Sequence, residues 1–240
     1  MPEPRILPLV VASVEDVTPH MRRIELTGPS LEAFEYFPGQ DLALPVIGDD
    51  GSVVRRRYTI RQFVPERRLI DLDFVMHGDG PGIRWAQAAR PGVAVEAIGP
   101  RGKIGLNPNA KSHLFAGDAT AVPGSLAMIE ALPAGVQAMA FLMVGDPAER
   151  QSFASGDATK KVDWHYESAL EAPHGILAAV SAFAIVPGGW HAYLAGEVSL
   201  VNDLKAALLA RGWAADQVSA KAYWNRGRAN ADRGEPEVKA

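Results

Sequence analysis

From Arg55 to Phe63 the chain reads RRRYTIRQF, four arginines around one tyrosine and one threonine in a run that otherwise has the composition of a β-strand. At a period of two, Arg56, Tyr58 and Ile60 share one face and Arg57, Thr59 and Arg61 the other, so such a strand carries charge on both sides. The protein as a whole has a formal net charge of −4, so the cluster is a local feature that requires a local anion or a local structural partner. Two readings are open. One is an edge strand guarded by its arginines, with Tyr58 in the core. The other is a binding strand that offers cations to a pyrophosphate and an aromatic wall to a ring, the combination a flavin dinucleotide needs.

Around this stretch, residues 7–98 run as short alternating or apolar segments such as RIELTG, QDLALPV, LIDLDFVMHG and VAVEAIGPRG, broken by Gly and Pro. That spacing predicts an antiparallel barrel or sandwich. One helix interrupts it, PGIRWAQAAR, with Pro81 suited to the first turn and Gly92 following the end. GLNPNAKSH around Pro108 reads as a linker. Beyond it the order becomes strand, helix, strand (SHLFAGDA, AVPGSLAMIEAL, AMAFLMVGD, KVDWHY, WHAYLAGE, SLVNDLKAALLARG, VSAKAYW), which predicts a mostly parallel sheet with its ligand crevice beyond the carboxyl ends of the strands. The expected architecture is two-domain, β plus α/β: an antiparallel β-barrel over residues 1–108, then an α/β domain over residues 109–240. The final stretch, RGRANADRGEPEVKA, is polar, lacks apolar periodicity and is expected to be partly disordered.

Composition narrows the function classes. With 240 residues, 48% hydrophobic and 22% charged, the chain is an ordinary globular protein, and no apolar run approaches the roughly 20 residues of a membrane-spanning helix. Zero cysteines exclude a disulfide, a thiolate nucleophile, an iron–sulfur cluster and cysteine-bound zinc. Slight acidity without a long basic tract argues against nucleic acid as a partner. The start, MPEPRILPLVV, has no secretory pattern, so a cytoplasmic location is expected.

A second element strengthens the binding reading of the arginine strand. HGDGPGIRW, His77 to Trp85, places glycines and a proline immediately before a helix, whose first amides and dipole favour an anion. Gly80 and Gly82 allow close approach, and Arg56 supplies a forked guanidinium. Two anion sites suit the bridging pyrophosphate of FAD rather than FMN. His77 and Trp85 taken alone read equally well as a structural histidine and a core ring. In the second half, LFAGDATAVPGSLAMIEAL passes from a strand through Gly117, Asp118 and Thr120 into a helix, a crevice suited to a dinucleotide, without a full Gly-x-Gly-x-x-Gly signature. AGE, Ala195 to Glu197, again ends an apolar strand before a helix. Glu197 either borders a nicotinamide or caps that helix.

Four blocks in order resemble the siderophore-interacting proteins, flavin-dependent ferric-siderophore reductases of the ferredoxin-reductase-like superfamily. RRYTIR matches the pattern Arg-x-Tyr-Thr-x-Arg, and HGDGPGIRWAQAARPGVAVEAIGPRG, GDATAVPG and AYWNRGR are similar to three further blocks. The resemblance implies an amino-terminal barrel holding FAD and a carboxyl-terminal domain for NADPH or NADH. By that likeness Arg56 binds the pyrophosphate, Tyr58 packs against the flavin ring, Thr59 sits near its reactive edge and Arg61 completes the charged edge. Tyr223, Trp224 and Arg226 lie near the flavin or nucleotide. Lys160, Lys161 and Arg228 are candidate contacts for an anionic ferric chelate. The chain departs from the family at Ala119, where an acidic residue is usual, at Ala43, where lysine is common, and at WHYE (164–167), which lacks an arginine in the span His165–Glu167.

The implied activity is an NAD(P)H:ferric-siderophore reductase. A nicotinamide gives two electrons together as hydride and ferric iron takes one, so a flavin that handles both stands between them, and no side chain need be a nucleophile or general base. Two other readings remain at this point: a flavin reductase serving a protein or quinone acceptor, and a noncatalytic siderophore- or flavin-binding module.

Overall fold

The structure is a computed structural model that describes residues 4–154, 158–167, 174–184 and 189–226. It divides into two compact units, Met1–Leu106 and Asn107–Ala240. Arg228 and the rest of the polar tail after Arg226 lie outside the described residues.

In the first unit, strands β1 (Arg5–Thr18), β2 (Met21–Thr27), β3 (Asp41–Ile47), β4 (Val53–Val64), β5 (Leu69–Val75) and β6 (Ala94–Arg101) close a barrel in the order β1-β2-β5-β4-β3-β6. Every pairing is antiparallel. Alternation sends Leu7, Leu9 and Val11, Ile24 and Leu26, Leu42 and Leu44, and Ile70, Leu72 and Phe74 into one buried cluster. The arginine strand is β4, and it pairs with β3 on one side and β5 on the other. The two pairings use different halves of β4: Val53–Thr59 pair with β3, and Ile60–Val64 with β5, so Arg55, Arg56 and Arg57 are bonded along one side of the strand while the whole strand is built into the closed barrel. The predicted helix is α1 (Pro81–Ala88), with Pro81 in its first turn and Gly80 at its N-cap. Gly92, at φ +91, turns the chain back toward β6.

The second unit contains β7 (Ser112–Gly117), α2 (Val122–Ala131), β8 (Gln137–Val144), β9 (Lys160–Tyr166), α3 (His174–Ala182), β10 (Trp190–Glu197), α4 (Val198–Ala210) and β11 (Val218–Trp224). Its sheet is wholly parallel, in the order β11-β10-β7-β8-β9. Leu114, Ala116, Phe141, Met143, Ala192 and Leu194 pack with α3 and α4, and Phe115, Ala140 and Leu142 of opposite parity are equally buried. Both faces of the sheet are therefore covered, as an all-parallel sheet requires. The chain runs outward through β8 and β9 and returns to build β10 and β11 on the other side of β7. The switch point, where such folds bind ligands, thus lies between β7 and β10. Gly117 is needed there, because a Cβ at that position would overlap the carbonyl oxygen of Ala195. No helix among the described residues is long and apolar enough to cross a membrane.

Candidate functional site

In the first unit, β4 and α1 meet at one glycine. The Tyr58 hydroxyl and the Arg56 side chain both face the position a Gly82 Cβ would take, the Arg56 Cγ at 3.5 Å and the hydroxyl overlapping it. Three residues singled out in separate stretches of sequence are thereby brought to the first turn of one helix. The Tyr58 ring packs on Phe74 with centroids 4.0 Å apart, and Phe74 packs in turn on Trp85 at 5.6 Å. Burial raises the pKa of the Tyr58 hydroxyl against the opposing pull of the Arg56 charge, so the group stays a neutral phenol. Gly80 caps α1 without a side chain, and His77, Gly78, Asp79 and Gly80 are exposed.

The four arginines of the stretch have separate roles. Arg55 is exposed, and Arg56 is half-buried with one guanidinium nitrogen donating to the Arg55 carbonyl at 3.1 Å. Arg57 forks the buried Asp41 of β3 through Nε and Nη2 at 2.9 and 2.7 Å. Thr59 stands opposite Asp41 in the ladder. The alternation holds to Ile60 and then ends at a bulge, where Ile60 pairs with Leu72 and Gln62 with Asp71. Arg61 is the extra residue. It is buried beside Ile60, not displayed with Arg57 and Thr59, and its charge acts on Asp71 of β5. The geometry therefore leaves Arg56 as the cation of this strand set beside α1. The open turn at Gly80, a guanidinium and a row of aromatic rings form a donor set suited to a dinucleotide's phosphates and ring.

In the second unit, Asp118 gathers the carboxyl ends of three strands. Its Oδ1 accepts from the Thr120 amide at 2.9 Å and the Thr120 hydroxyl at 2.5 Å. Its Oδ2 accepts from the Glu197 amide at 2.7 Å and the Trp224 indole at 2.9 Å. Burial pushes the Asp118 pKa up, and these donors offset it only in part, so the net direction is up. Asp118, Thr120, Glu197 and Trp224, which the sequence scatters over more than a hundred positions, form one cluster at the switch point. The Glu197 side chain caps α4. Its Oε2 accepts from the amides of Ser199 and Leu200 at 2.6 and 3.1 Å, and Oε1 lies 3.4 Å from the Arg226 amide, which donates to it. Burial raises its pKa, but the hydrogen bonds from Ser199, Leu200 and Arg226 outweigh it and the net direction is down. Tyr223 carries the Lys221 ammonium 5.3 Å from its ring centroid, and Arg226 is exposed.

The lysine pair is corrected. Lys160 and Lys161 are neighbours on a strand and so point to opposite sides. Lys160 is 7% exposed and its Nζ donates to the Leu132 carbonyl at 2.6 Å, at the end of α2, whereas Lys161 is exposed. Lys160 is a structural cap and does not face an approaching anion. In WHYE, Trp164 and Tyr166 are half-buried, the His165 Nε2 lies 3.5 Å from an Asp163 carboxylate oxygen, and Glu167 is exposed. Arg150 covers Tyr166, its guanidinium 5.2 Å from the ring centroid and its Nε donating to the phenol oxygen. Ala43 is wholly buried, opposite Arg57 and Ile98.

A polar ladder that the sequence reading does not anticipate lies toward the opposite, amino-terminal ends of the strands. The Asn107 amide donates to the Tyr193 hydroxyl at 2.7 Å, and the His113 Nδ1 lies 3.3 Å from the same oxygen. The Asn107 side-chain nitrogen meets the His191 Nδ1 at 3.0 Å, and the His191 Nε2 meets the Ser219 hydroxyl at 2.9 Å. Burial lowers the pKa of His113 to about 4 and moves His191 in the same direction. A signal existed, because SHLFAG and WHAYLAG share a pattern and His113 and His191 are register partners.

Two family profiles match the chain. One, described as a siderophore-interacting FAD-binding domain, covers residues 39–104, and the other, described as siderophore-interacting protein, covers residues 110–227. The Vibrio cholerae serotype O1 protein named ferric vibriobactin reductase ViuB is 30% identical over 248 residues, 94% of this chain and 90% of that protein. The Escherichia coli K12 protein named NADPH-dependent ferric-chelate reductase is 25% identical over 244 residues, 92% and 93% of the two chains. Among solved structures, a siderophore utilization protein from T. fusca aligns with a TM-score of 0.84 at 29% identity, covering 96% of this chain and 97% of that one.

Proposed function

Because the chain belongs to the siderophore-interacting protein family, we propose that it is an FAD-dependent NAD(P)H:ferric-siderophore reductase. The observation that carries the reading is the meeting of Arg56, Tyr58 and Gly82 at the first turn of α1, a ready-made seat for a pyrophosphate beside aromatic rings, inside the span matched by the FAD-binding profile. Bound FAD supplies the two-electron to one-electron conversion that neither a nicotinamide nor ferric iron can make alone. The side chains bind and orient. Arg56 neutralises phosphate charge, Gly82 lets Tyr58 close against the first turn of α1, the open Gly80 admits close approach, and Tyr58 with Phe74 and Trp85 forms the ring surface. His77 and Gly80 border that seat, and Thr59 follows Tyr58 on the opposite face of β4.

The second unit takes NADPH or NADH at the carboxyl edge of its sheet, where Gly117, Thr120, Tyr223, Trp224 and Arg226 stand. The acceptor is a ferric siderophore or other anionic ferric chelate, met by exposed cations such as Lys161 and Arg226. Its release as ferrous iron follows from the weaker hold of oxygen donors on the divalent ion. The protein works in the cytoplasm with these small molecules as its partners, and nucleic acid is not among them. An anaerobic titration tests this: NADPH or NADH bleaches the yellow protein and a ferric siderophore restores the colour. A flavin that neither nucleotide bleaches would leave a binding module, and one that passes electrons only to a protein or quinone would identify a different reductase.

A further inference from the structure

The turn that leaves β7 at the switch point is filled by its own carboxylate. Asp118 is 3% exposed, and both of its oxygens are engaged by Thr120, Glu197 and Trp224. Two of those groups are backbone amides and one is an indole N–H, all of which can only donate, so the cluster demands an acceptor at both oxygens. A side-chain amide of the same shape would turn its NH2 against one of them. Gly196, at φ +132, belongs to the same construction. A Cβ there would lie 2.6 Å from the Asp118 Oδ2, so glycine lets β10 come close enough for the Glu197 amide to reach.

Two further amides of the turn are used within it. The Ala121 amide donates to the Asp118 carbonyl at 2.9 Å and the Val122 amide to the Ala119 carbonyl, while Pro123 has no N–H. A strand-to-helix turn at a switch point ordinarily offers such amides to a phosphate. Here the Thr120, Ala121, Val122 and Glu197 amides are satisfied internally, and the Asp118 carboxyl group already occupies the position a phosphate would take among them.

Resting on the family reading above, we propose that Asp118 is a positioning residue: it fills the anion position of the β7–α2 turn and fixes the Trp224 indole and the Thr120 turn. This crevice thus presents a ring surface to the nucleotide while the nucleotide's phosphates are held by cations elsewhere.

The test uses the FAD-loaded full chain and its Asp118→Asn and Trp224→Phe variants. Indole NMR, with the Trp224 resonance assigned by its loss in Trp224→Phe, reports the hydrogen bond without any nucleotide. That N–H is protected from exchange in the wild type and loses protection in Asp118→Asn. In Asp118→Asn, saturating NADPH or NADH reduces the flavin at least about tenfold more slowly with nucleotide affinity changed less than about threefold, and adding Trp224→Phe slows it little further.

Tighter nucleotide binding in Asp118→Asn would mean that the turn is a phosphate seat held back by Asp118, and would overturn the proposal. An unchanged indole signal or an unchanged reduction rate would do the same. So would a parallel fall in FAD content and in the oxidation of chemically reduced flavin by ferric chelate, which would mark Asp118 as merely structural. If no nucleotide bleaches the wild type, the functional reading fails instead, while the indole signal still tests the Asp118 contact.

Discussion

The Tyr58 hydroxyl and the Gly82 backbone meet so closely that a methyl group on Gly82 would overlap the phenol oxygen. β4 and α1 are therefore fitted to each other, and the space between them is set by glycine. Gly82→Ala is expected to push Tyr58 or α1 aside and weaken FAD retention by about 5–150-fold, the range given by roughly 1–3 kcal/mol of overpacking. Tyr58→Phe removes the overlapping oxygen, so Gly82→Ala/Tyr58→Phe should recover part of the loss. Equilibrium dialysis of FAD against the three variants checks it, and an additive double variant would contradict the fit.

Arg56 and Arg57 are sequence neighbours with opposite duties. Arg56→Ala should lower FAD affinity by about 10–150-fold, the equivalent of roughly 1.5–3 kcal/mol for a charge-assisted contact, with little change in the urea midpoint of the FAD-free protein. Arg57→Ala removes a bidentate partner from the buried Asp41 carboxylate, 3% exposed at its side chain. It should destabilise that protein by about 1.5–3 kcal/mol. The two profiles exchanged would reverse the assignment.

These two arginines also mark how much of the fold was legible. Period-two alternation correctly separated Arg56, Tyr58 and Ile60 from Arg57 and Thr59, and the change from short strands to strand–helix units gave both units. The fate of Arg61 was not legible, because a bulge is set by the register of the partner strand β5, which local sequence does not encode. The same holds for Asp118. GDATA reads as a turn, but the inward aim of its carboxylate depends on Trp224, 106 positions later. Lys160 and Lys161 needed only a fixed strand start for parity to divide them, and KKVDWHY does not mark where β9 begins.

Lys160→Met should cost about 1–3 kcal/mol of stability by leaving the Leu132 carbonyl without its ammonium donor. It should leave the salt dependence of chelate reduction unchanged. Lys161→Ala carries the steering effect instead: slower reduction of an anionic ferric siderophore at low salt, with the gap closing as salt is added. Stopped-flow rates across a salt series decide between them, and a salt-sensitive defect in Lys160→Met would contradict the buried cap.

Asp71 makes stability depend on pH in a direction unusual for a carboxylate. It is 6% exposed, its Oδ1 has no hydrogen-bond partner, and Arg23 lies 4.0 Å away while forking Asp73 at 2.7 and 2.8 Å. Burial raises its pKa from 3.8 to about 6, against the pull of Arg23 and with help from Glu25 and Asp73. The folded state thus keeps this proton to a higher pH than the unfolded chain does. The contribution is most favourable below 3.8 and is lost as pH rises through about 6. Asp71→Asn should therefore stabilise the protein at neutral pH by about 1–3 kcal/mol and flatten this part of the pH profile. Urea midpoints between acid and neutral pH measure it, and a variant less stable at neutral pH would contradict the sign.

The most direct test of the central claim is an electron count under anaerobic conditions. The FAD-loaded protein is reduced with one equivalent of NADPH or NADH and mixed with excess ferric siderophore and a ferrous-specific trap. Two trapped ferrous ions per nucleotide oxidised are expected, with the flavin returned to its oxidised colour. Flavin that stays reduced until air is admitted, with no ferrous iron trapped, would contradict it.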